Sequence, residues 1–381
     1  MDGDLFGLGA SPRRREDSRF LIGAGAYLDD LVFPDVAHAV FVRSPHAHAG
    51  ITSIDGADAR AAPGVLAVLT AEDVSADGLN DLPPTVEANV QTGERFRFTP
   101  MPLLARDEVR YVGQLVALVV AGTRTQALDA VELVRVAYEA RPPVMAPDIA
   151  ASMPNHLCMD WSPGDADGAF DRAAHIVSLR LHNHRIVTNP MEPRGVIGVY
   201  DRATGQYIAH VSSQSLHGNR DAIARVLNVP PEQLRFVAPD VGGGFGAKNF
   251  PYPEQALIPW AARRCDRPVK WIASRSEVFV SDHQARDHLA SASLALDAEG
   301  RFLGLRVDSI ANIGAYMCGG AGSLQTFQYP HLQGGVYDIP HIGLRIRTVL
   351  TNAAPVGVTR GPGFAEAINV IERLIDAAAR Q

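Results

Sequence analysis

From Arg19 onwards, short apolar or alternating runs follow one another, each closed by Pro, Gly or Asp. HAVFVRS (His38–Ser44), VLAVLT (Val65–Thr70) and QLVALVVA (Gln114–Ala121) read as strands. ALDAVELVRV (Ala127–Val136) carries its apolar residues at helical spacing instead. These pieces predict a small α+β domain over residues 17–138, preceded by a polar tail at 1–16. Residues 139–168 are rich in Pro, Asp and Ser and have no period, which predicts a surface linker.

A second pattern starts at 169 and runs to 381. IVSLRLHN (Ile176–Asn183) and YIAHVSS (Tyr207–Ser213) predict strands, and RDAIARVLN (Arg220–Asn228) a helix. Then come the strand LRFVAP, a glycine-rich loop, the helix PEQALIPWAARRC and the strand VKWIAS. LASASLALD (Leu289–Asp297) and FLGLRVDSIANI (Phe302–Ile313) flank AEGR, a hairpin pattern. The chain ends in AEAINVIERLIDAAARQ, a helical pattern with Ile368, Ile371, Leu374 and Ile375 on one face. That face needs a packing partner, and the expectation is that part of the structure lies on another chain.

Composition narrows the function classes. The 381 residues are 46% hydrophobic and 20% charged, enough for two or three cored domains. A net charge of −7 with no basic stripe disfavours nucleic acid and anionic membranes. Cys158, Cys265 and Cys318 stand far apart without a Cys-x-x-Cys pair, which excludes a cysteine-ligated iron–sulfur cluster or zinc ribbon from this sequence. No apolar run reaches the roughly 18 residues of a membrane span, so a soluble, cytoplasmic protein is expected.

The loop VGGGFGAKN invites a nucleotide-binding reading. A Walker A loop fails, because Ala247 precedes Lys248 and Asn249 follows it. Gly242, Gly244 and Ala247 do satisfy a Rossmann spacing between strand and helix, with Glu277 as a conceivable ribose acid. An NAD-dependent dehydrogenase is therefore one alternative. Against it, NFPYP holds the glycines away from the helix N-terminus that would meet a pyrophosphate.

The company of the loop points elsewhere. SSQSLHGNRDAIARVLNVPPEQLRFVAPDVGGGFGAKN, RPVKWIASRSEVFVSDHQARDH, ANIGAY and TNAAPVGVTRGPGFAEAINVIERLID occur in an order that resembles the molybdopterin-binding subunit of the xanthine dehydrogenase / aldehyde oxidase / carbon monoxide dehydrogenase family. RREDSRFLIGAGAYLDD, HAVFVRSPHAHAGITSID and VRYVGQLVALVVA resemble its α/β hammerhead domain, and PMEPRG (Pro190–Gly195) the start of its first molybdopterin-binding domain. The resemblance covers about residues 12–381 and implies an α+β protein built from those two domains.

It also implies a chemistry. Molybdenum held by a pterin dithiolene hydroxylates a substrate carbon with oxygen from water, and electrons leave through [2Fe–2S] clusters and FAD on partner subunits. The pterin comes with or without an appended nucleotide, the cytosine dinucleotide form being one option. By resemblance, Gln214 places a side-chain amide near the metal's oxygen ligands. Gly243, Gly244, Phe245 and Gly246 offer backbone amides to the oxo group and pterin, and Arg360 stands beside the metal. Gln214, Phe245 and Arg360 thus surround molybdenum without ligating it directly.

Departures from the family pattern shape the substrate expectation. Purine-oxidising members carry a glutamate after the loop lysine, where this chain has Asn249. Pro362 replaces their ring-sandwiching phenylalanine, and Gly361 stands where carbon monoxide dehydrogenases bind copper through cysteine. Cys318 lies too far off to substitute and reads as a small buried residue. Asn249, Gly361 and Pro362 are therefore substrate-pocket candidates that argue against purines and a copper centre, leaving aldehydes or N-heterocycles.

Full subunits of the family are about twice as long, and the base that deprotonates the attacking group is a glutamate in a Gly-x-Gly-Glu loop of a second cofactor domain. No Gly-x-Gly-Glu occurs here, and Glu192, Glu254 and Glu366 lack its context, so no catalytic base is assigned. The expectation is an N-terminal half completed by a separately encoded C-terminal half and inactive without it. A truncated, inert domain is the non-enzymatic alternative.

Overall fold

The computed structural model describes residues 9–381 apart from Pro12, 84–86, 89–92, 94, 96–98 and 154–156. Residues 1–8 of the expected tail, and part of the expected linker, lie outside the described residues. Among the described residues three sheets are present. The largest has seven strands, in the spatial order Leu234–Val237, Gln206–Val211, Gly195–Asp201, Val269–Ile272, Ala37–Arg43, Leu115–Ala121 and Val65–Leu69. Its first four strands come from the second half of the chain and its last three from the first. The seam is a parallel pairing of Ala37 with Val269 and His38 with Lys270. The two predicted regions are therefore joined by a continuous hydrogen-bonded sheet.

A five-stranded sheet follows the order Leu157–Trp161, Ile342–Val349, Phe302–Asn312, His288–Leu296 and His175–Asn183. A three-stranded sheet, Glu108–Val109, Ala49–Asp55 and Arg135–Ala140, completes the N-terminal region. The strand Leu115–Ala121 is buried along its whole length, as its unbroken apolar run requires. Helix Glu254–Cys265 packs on the large sheet, with Ala256, Leu257, Ile258 and Trp260 in a common core with Phe41, Leu118 and Trp271.

Several expectations shift. The helix placed at Ala127–Val136 runs over Arg124–Val131, because the Thr123 side chain accepts from Gln126 N and starts it earlier. Residues 135 and 136 belong instead to the strand Arg135–Ala140. The stretch 139–168 is more than a connector: the helix Pro147–Ala150 lies in it, the helix Ala166–Asp171 starts in it, and Leu157–Trp161 pairs antiparallel with Ile342–Val349. The hairpin at 289–313 forms as expected, with Leu289 opposite Ile310.

The terminal helix, Phe364–Arg380, is not left without a partner. Ala367, Val370, Ile371 and Leu374 pack on the five-stranded sheet of the same chain, against residues such as Leu181, Ala290 and Leu294. The buried stripe is rotated from the expected one, and Ile368 stands 45% exposed. The expectation that this face requires another chain is corrected: this chain's own sheet supplies the surface.

Candidate cofactor site

Three segments meet at one edge of the large sheet. Gln206–Val211 and Leu234–Val237 are parallel neighbours, so Ser212–Gln214 and the glycine loop leave from the same, carboxyl end. In open α/β sheets that edge is where ligands are held. The third segment, residues 356–363, is the last part of the connection from the strand Ile342–Val349 to the terminal helix. Backbone bonds lock the segments together: Gln214 N donates to Lys248 O (2.9 Å) and Arg360 N to Phe245 O (2.8 Å). The Thr188 and Thr359 hydroxyls add a further hydrogen bond.

Close approach explains two of the glycines. A Cβ on Gly244 would stand 2.4 Å from the Gln214 amide group, and one on Gly246 only 2.6 Å from Val358 O. Gly246 also needs φ +100°, which side-chain-bearing residues avoid. Between them Phe245 sits in the left-handed region (φ 52°) and is 43% exposed. The Arg360 guanidinium lies 4.8 Å from the centre of that ring.

A cavity of about 550 Å³ opens here, lined by Gln214, Phe245, Gly246, Asn249, Arg360 and Pro362 together with Phe250, Leu324 and Gln328. Six sequence-predicted residues are thus brought together. Gly243, Gly244 and Gly361 lie in the same loops but outside the lining. The Gly246 amide, expected to face an oxo group, donates to Gln214 Oε1 at 2.9 Å. The amides of Phe245 and of the Gln214 side chain carry no hydrogen bond among the described residues. Phe250 and Gln328 were not anticipated; Gln328 ends a π-helical turn, Leu324–Gln328, that no local period announces.

Behind the loop the structure is closed and charged. The Glu192 carboxylate accepts from Gly242 N (2.8 Å), Ser212 Oγ (2.6 Å), Lys248 Nζ (2.9 Å) and Leu28 N (3.3 Å), tying both ends of the glycine loop to the Ser212 segment. Burial pushes the Lys248 ammonium below its ordinary value, against the pull of Glu192. Arg194 is buried between Asp282 (2.7 Å) and Glu254 (3.1 Å), and its guanidinium lies 3.7 Å from the Tyr252 ring centre. Burial alone would raise the Glu254 carboxyl, but Arg194 and Arg43 hold it down at about 2. Tyr252 Oη donates to Ala247 O (2.8 Å), which carries this network into the loop.

Glu254 also settles the dinucleotide reading. It occupies the first turn of helix Glu254–Cys265 with a buried negative charge where a pyrophosphate would have to sit. Glu277 is committed as well: it caps its own helix through Ser274 N (2.8 Å) and accepts from Arg43 Nε (3.0 Å). Cys318 is buried 3.3 Å from His283 Nε2. Burial pushes the thiol up to about 12 and the imidazole down to about 3, so both are neutral and inert. Glu366 is buried in an ion pair with Arg286 (3.1 Å). Among the described residues no group of three or more His, Cys, Asp or Glu could hold a metal ion. No described helix is long and apolar enough to cross a membrane.

This arrangement is a recurrent one. The molybdopterin cofactor-binding domain profile matches residues 149–381, and the aldehyde oxidase and xanthine dehydrogenase a/b hammerhead domain profile matches residues 22–142. The chain belongs to the molybdopterin-binding family of molybdenum hydroxylases. It is 35% identical over 386 residues to the nicotine 6-hydroxylase large subunit of Paenarthrobacter nicotinovorans, covering 98% of this chain and 47% of that protein. The carbon monoxide dehydrogenase large chain of Hydrogenophaga pseudoflava is 34% identical, with 98% and 49% covered. The crystal structure of quinoline 2-oxidoreductase from Pseudomonas putida 86 superimposes with a TM-score of 0.90 at 36% identity, covering 98% of this chain and 48% of that one. The chain therefore spans about half the length of these relatives. A different ratio holds for the nicotinate dehydrogenase large molybdopterin subunit of Eubacterium barkeri, 26% identical, where all of this chain matches 87% of the relative.

Proposed function

We propose that this chain holds one side of a molybdopterin cofactor in an enzyme that hydroxylates an aldehyde or N-heterocycle with oxygen from water. The observation that carries the reading is the convergence of Gln214, Phe245, Gly246 and Arg360 on one open cavity at the carboxyl ends of parallel strands. The donors suit the group: a neutral side-chain amide, a backbone amide and a guanidinium, in a cradle that a Cβ at position 244 or 246 would fill. When bound, the molybdopterin supplies the oxygen transfer and takes up the substrate's electrons.

The chain's own residues position and polarise. Gln214 is aimed by the bond from Gly246 N to its oxygen, which leaves its NH₂ group to donate into the cavity. The Phe245 amide is a second donor there, and Arg360 supplies positive charge over the Phe245 ring. Asn249, half-buried at the cavity wall, offers hydrogen bonds without a formal charge, which suits a neutral heteroaromatic nitrogen or carbonyl better than a purine bound through a carboxylate. Pro362 narrows the cavity without offering an aromatic ring. None of Glu192, Glu254 and Glu366 reaches the lining, so the proton-accepting group belongs to a second half.

That second half lies outside these 381 residues; this chain spans about half of the nicotine 6-hydroxylase and quinoline 2-oxidoreductase relatives and nearly all of the nicotinate dehydrogenase large molybdopterin subunit. Further subunits bearing [2Fe–2S] clusters and FAD complete the electron path; relatives named as a large subunit, a large chain and a complex subunit gamma support a heteromeric assembly. We place the assembly in the cytoplasm, in keeping with three unpaired cysteines. Purification of the chain alone and with its partner, followed by molybdenum and pterin analysis that includes the cytosine dinucleotide form, tests the reading. Cofactor and turnover are expected only in the complex. Stoichiometric metal and turnover in the isolated 381-residue chain would refute the second half.

A further inference from the structure

The geometry points to Arg286 as the positioning residue of the Arg360 loop, anchored by Glu366; this rests on the reading above in which Arg360 serves the cofactor. Arg286 and Asp287 are consecutive residues in the left-handed region (φ 70° and 68°), a conformation that a Cβ disfavours and that persists only where the surroundings impose it. The surroundings here are explicit. Asp287 accepts from Arg185 Nε (2.9 Å) and Asn312 Nδ2 (2.8 Å). Its backbone N donates to Asn183 O (3.0 Å), and its carbonyl accepts from Asn312 N (3.1 Å).

With Asp287 held this way, the Arg286 side chain reaches the segment that carries Arg360. Nη1 donates to both Glu366 oxygens (3.2 and 3.1 Å) and to Gly361 O (3.4 Å), and Nη2 donates to Arg360 O (2.9 Å). Charge pairing requires only Glu366, which is 2% exposed in the first turn of the terminal helix. The bonds to the two carbonyls are additional and act on the loop. Arg360 is thus tied at both backbone groups, its N–H to Phe245 O and its carbonyl to Arg286. Those two bonds fix the peptide planes from which the Arg360 guanidinium extends over the Phe245 ring. Arg286 itself does not line the cavity, so its influence passes through the loop.

Hydrogen exchange across residues 357–363, read by mass spectrometry beside the thermal midpoint, tests this in the chain and in its complex with the second half. In Arg286→Met the Arg360 amide is expected to exchange about tenfold faster or more, the loss of charge-assisted bonds to two carbonyls. Arg286→Lys recovers part of the protection, because an ammonium can still reach one carbonyl. The pair Arg286→Met with Glu366→Met removes both charges and restores the thermal midpoint, since no buried charge is left alone. Exchange nonetheless stays fast, and pterin retained by the complex falls. If Arg286→Met does not fold, the lysine variant and the double variant decide. Wild-type exchange in Arg286→Met, or its full return in the double variant, would overturn the role. A wild-type complex without pterin would refute the cofactor reading and leave the exchange result standing.

Discussion

The two sides of the glycine loop differ in kind. Behind it, Lys248, Arg194, Glu254 and Asp282 are buried and paired, and one carboxylate oxygen of the half-buried Glu192 serves Gly242 N, Ser212 and Lys248. In front, Gln214, Phe245 and Arg360 are exposed, with donors that carry no bond among the described residues. Buried charge tolerates no slack, because an ion that loses its partner has no water to turn to. The front can remain open because paired, buried charge holds the loop from behind. The contrast separates residues that hold the loop from residues that the loop presents.

Substitution should break that contrast unevenly. Glu192→Ala takes the counter-charge from the buried Lys248 ammonium, leaving it only the residue-192 backbone carbonyl, and strips three further donors of their acceptor; it should cost about 3–5 kcal/mol in denaturant unfolding. Acid should act on the back as well. His283 is held near 3, so below its ordinary value the unfolded chain binds a proton that the folded chain refuses. Glu254, held at about 2, adds the same sense lower down, since its stabilising charge is lost as pH falls through that value. Stability should therefore fall as pH drops from about 6.5 toward 3, with a limiting slope of about 1.4 kcal/mol per pH unit for each proton involved. Chemical unfolding at stepped pH measures it, and a flat profile across that window would contradict the burial of His283.

Gly246→Ala joins the two sides, because its Cβ meets backbone at 2.6 Å rather than a mobile side chain. About 1–3 kcal/mol of destabilisation is expected, more than for Gly244→Ala, whose obstacle is the Gln214 side chain. The smallest effect on folding belongs to the front. Gln214→Ala and Arg360→Ala should unfold within about 0.5 kcal/mol of wild type, while the complex loses most of its pterin. A large stability loss in either would mean that the exposed residues also hold the loop.

Local structure was legible wherever the chain supplies its own signal. The alternation of Leu289–Asp297 and the unbroken run of Gln114–Ala121 gave strands close to those observed. Leu157–Trp161 was not legible, because an edge strand takes its definition from the neighbour it pairs with. The buried stripe of the terminal helix was misplaced for a related reason: the sheet selects Ala367 and Val370 over Ile368, and small residues carry little weight in a periodicity. The residues at the cavity were found through short motifs. The network behind them was not, since Arg43, Arg194, Glu254 and Asp282 are brought together only by folding, and nothing local marks Arg286 as a strut.

The seam between Ala37–Arg43 and Val269–Ile272 has a practical consequence for anyone dividing the molecule. Expressing residues 149–381 alone, the span that a profile would suggest as a unit, removes the strand beside Val269–Ile272 and bares its hydrogen-bonding edge. It also uncovers Trp271, whose ring meets Phe41 edge-on at 5.5 Å, and deprives Glu254 of Arg43. An open edge flanked by an uncovered aromatic surface recruits other copies. The fragment should sediment with the insoluble material, whereas a chain cleaved after folding should hold its two pieces together through native purification.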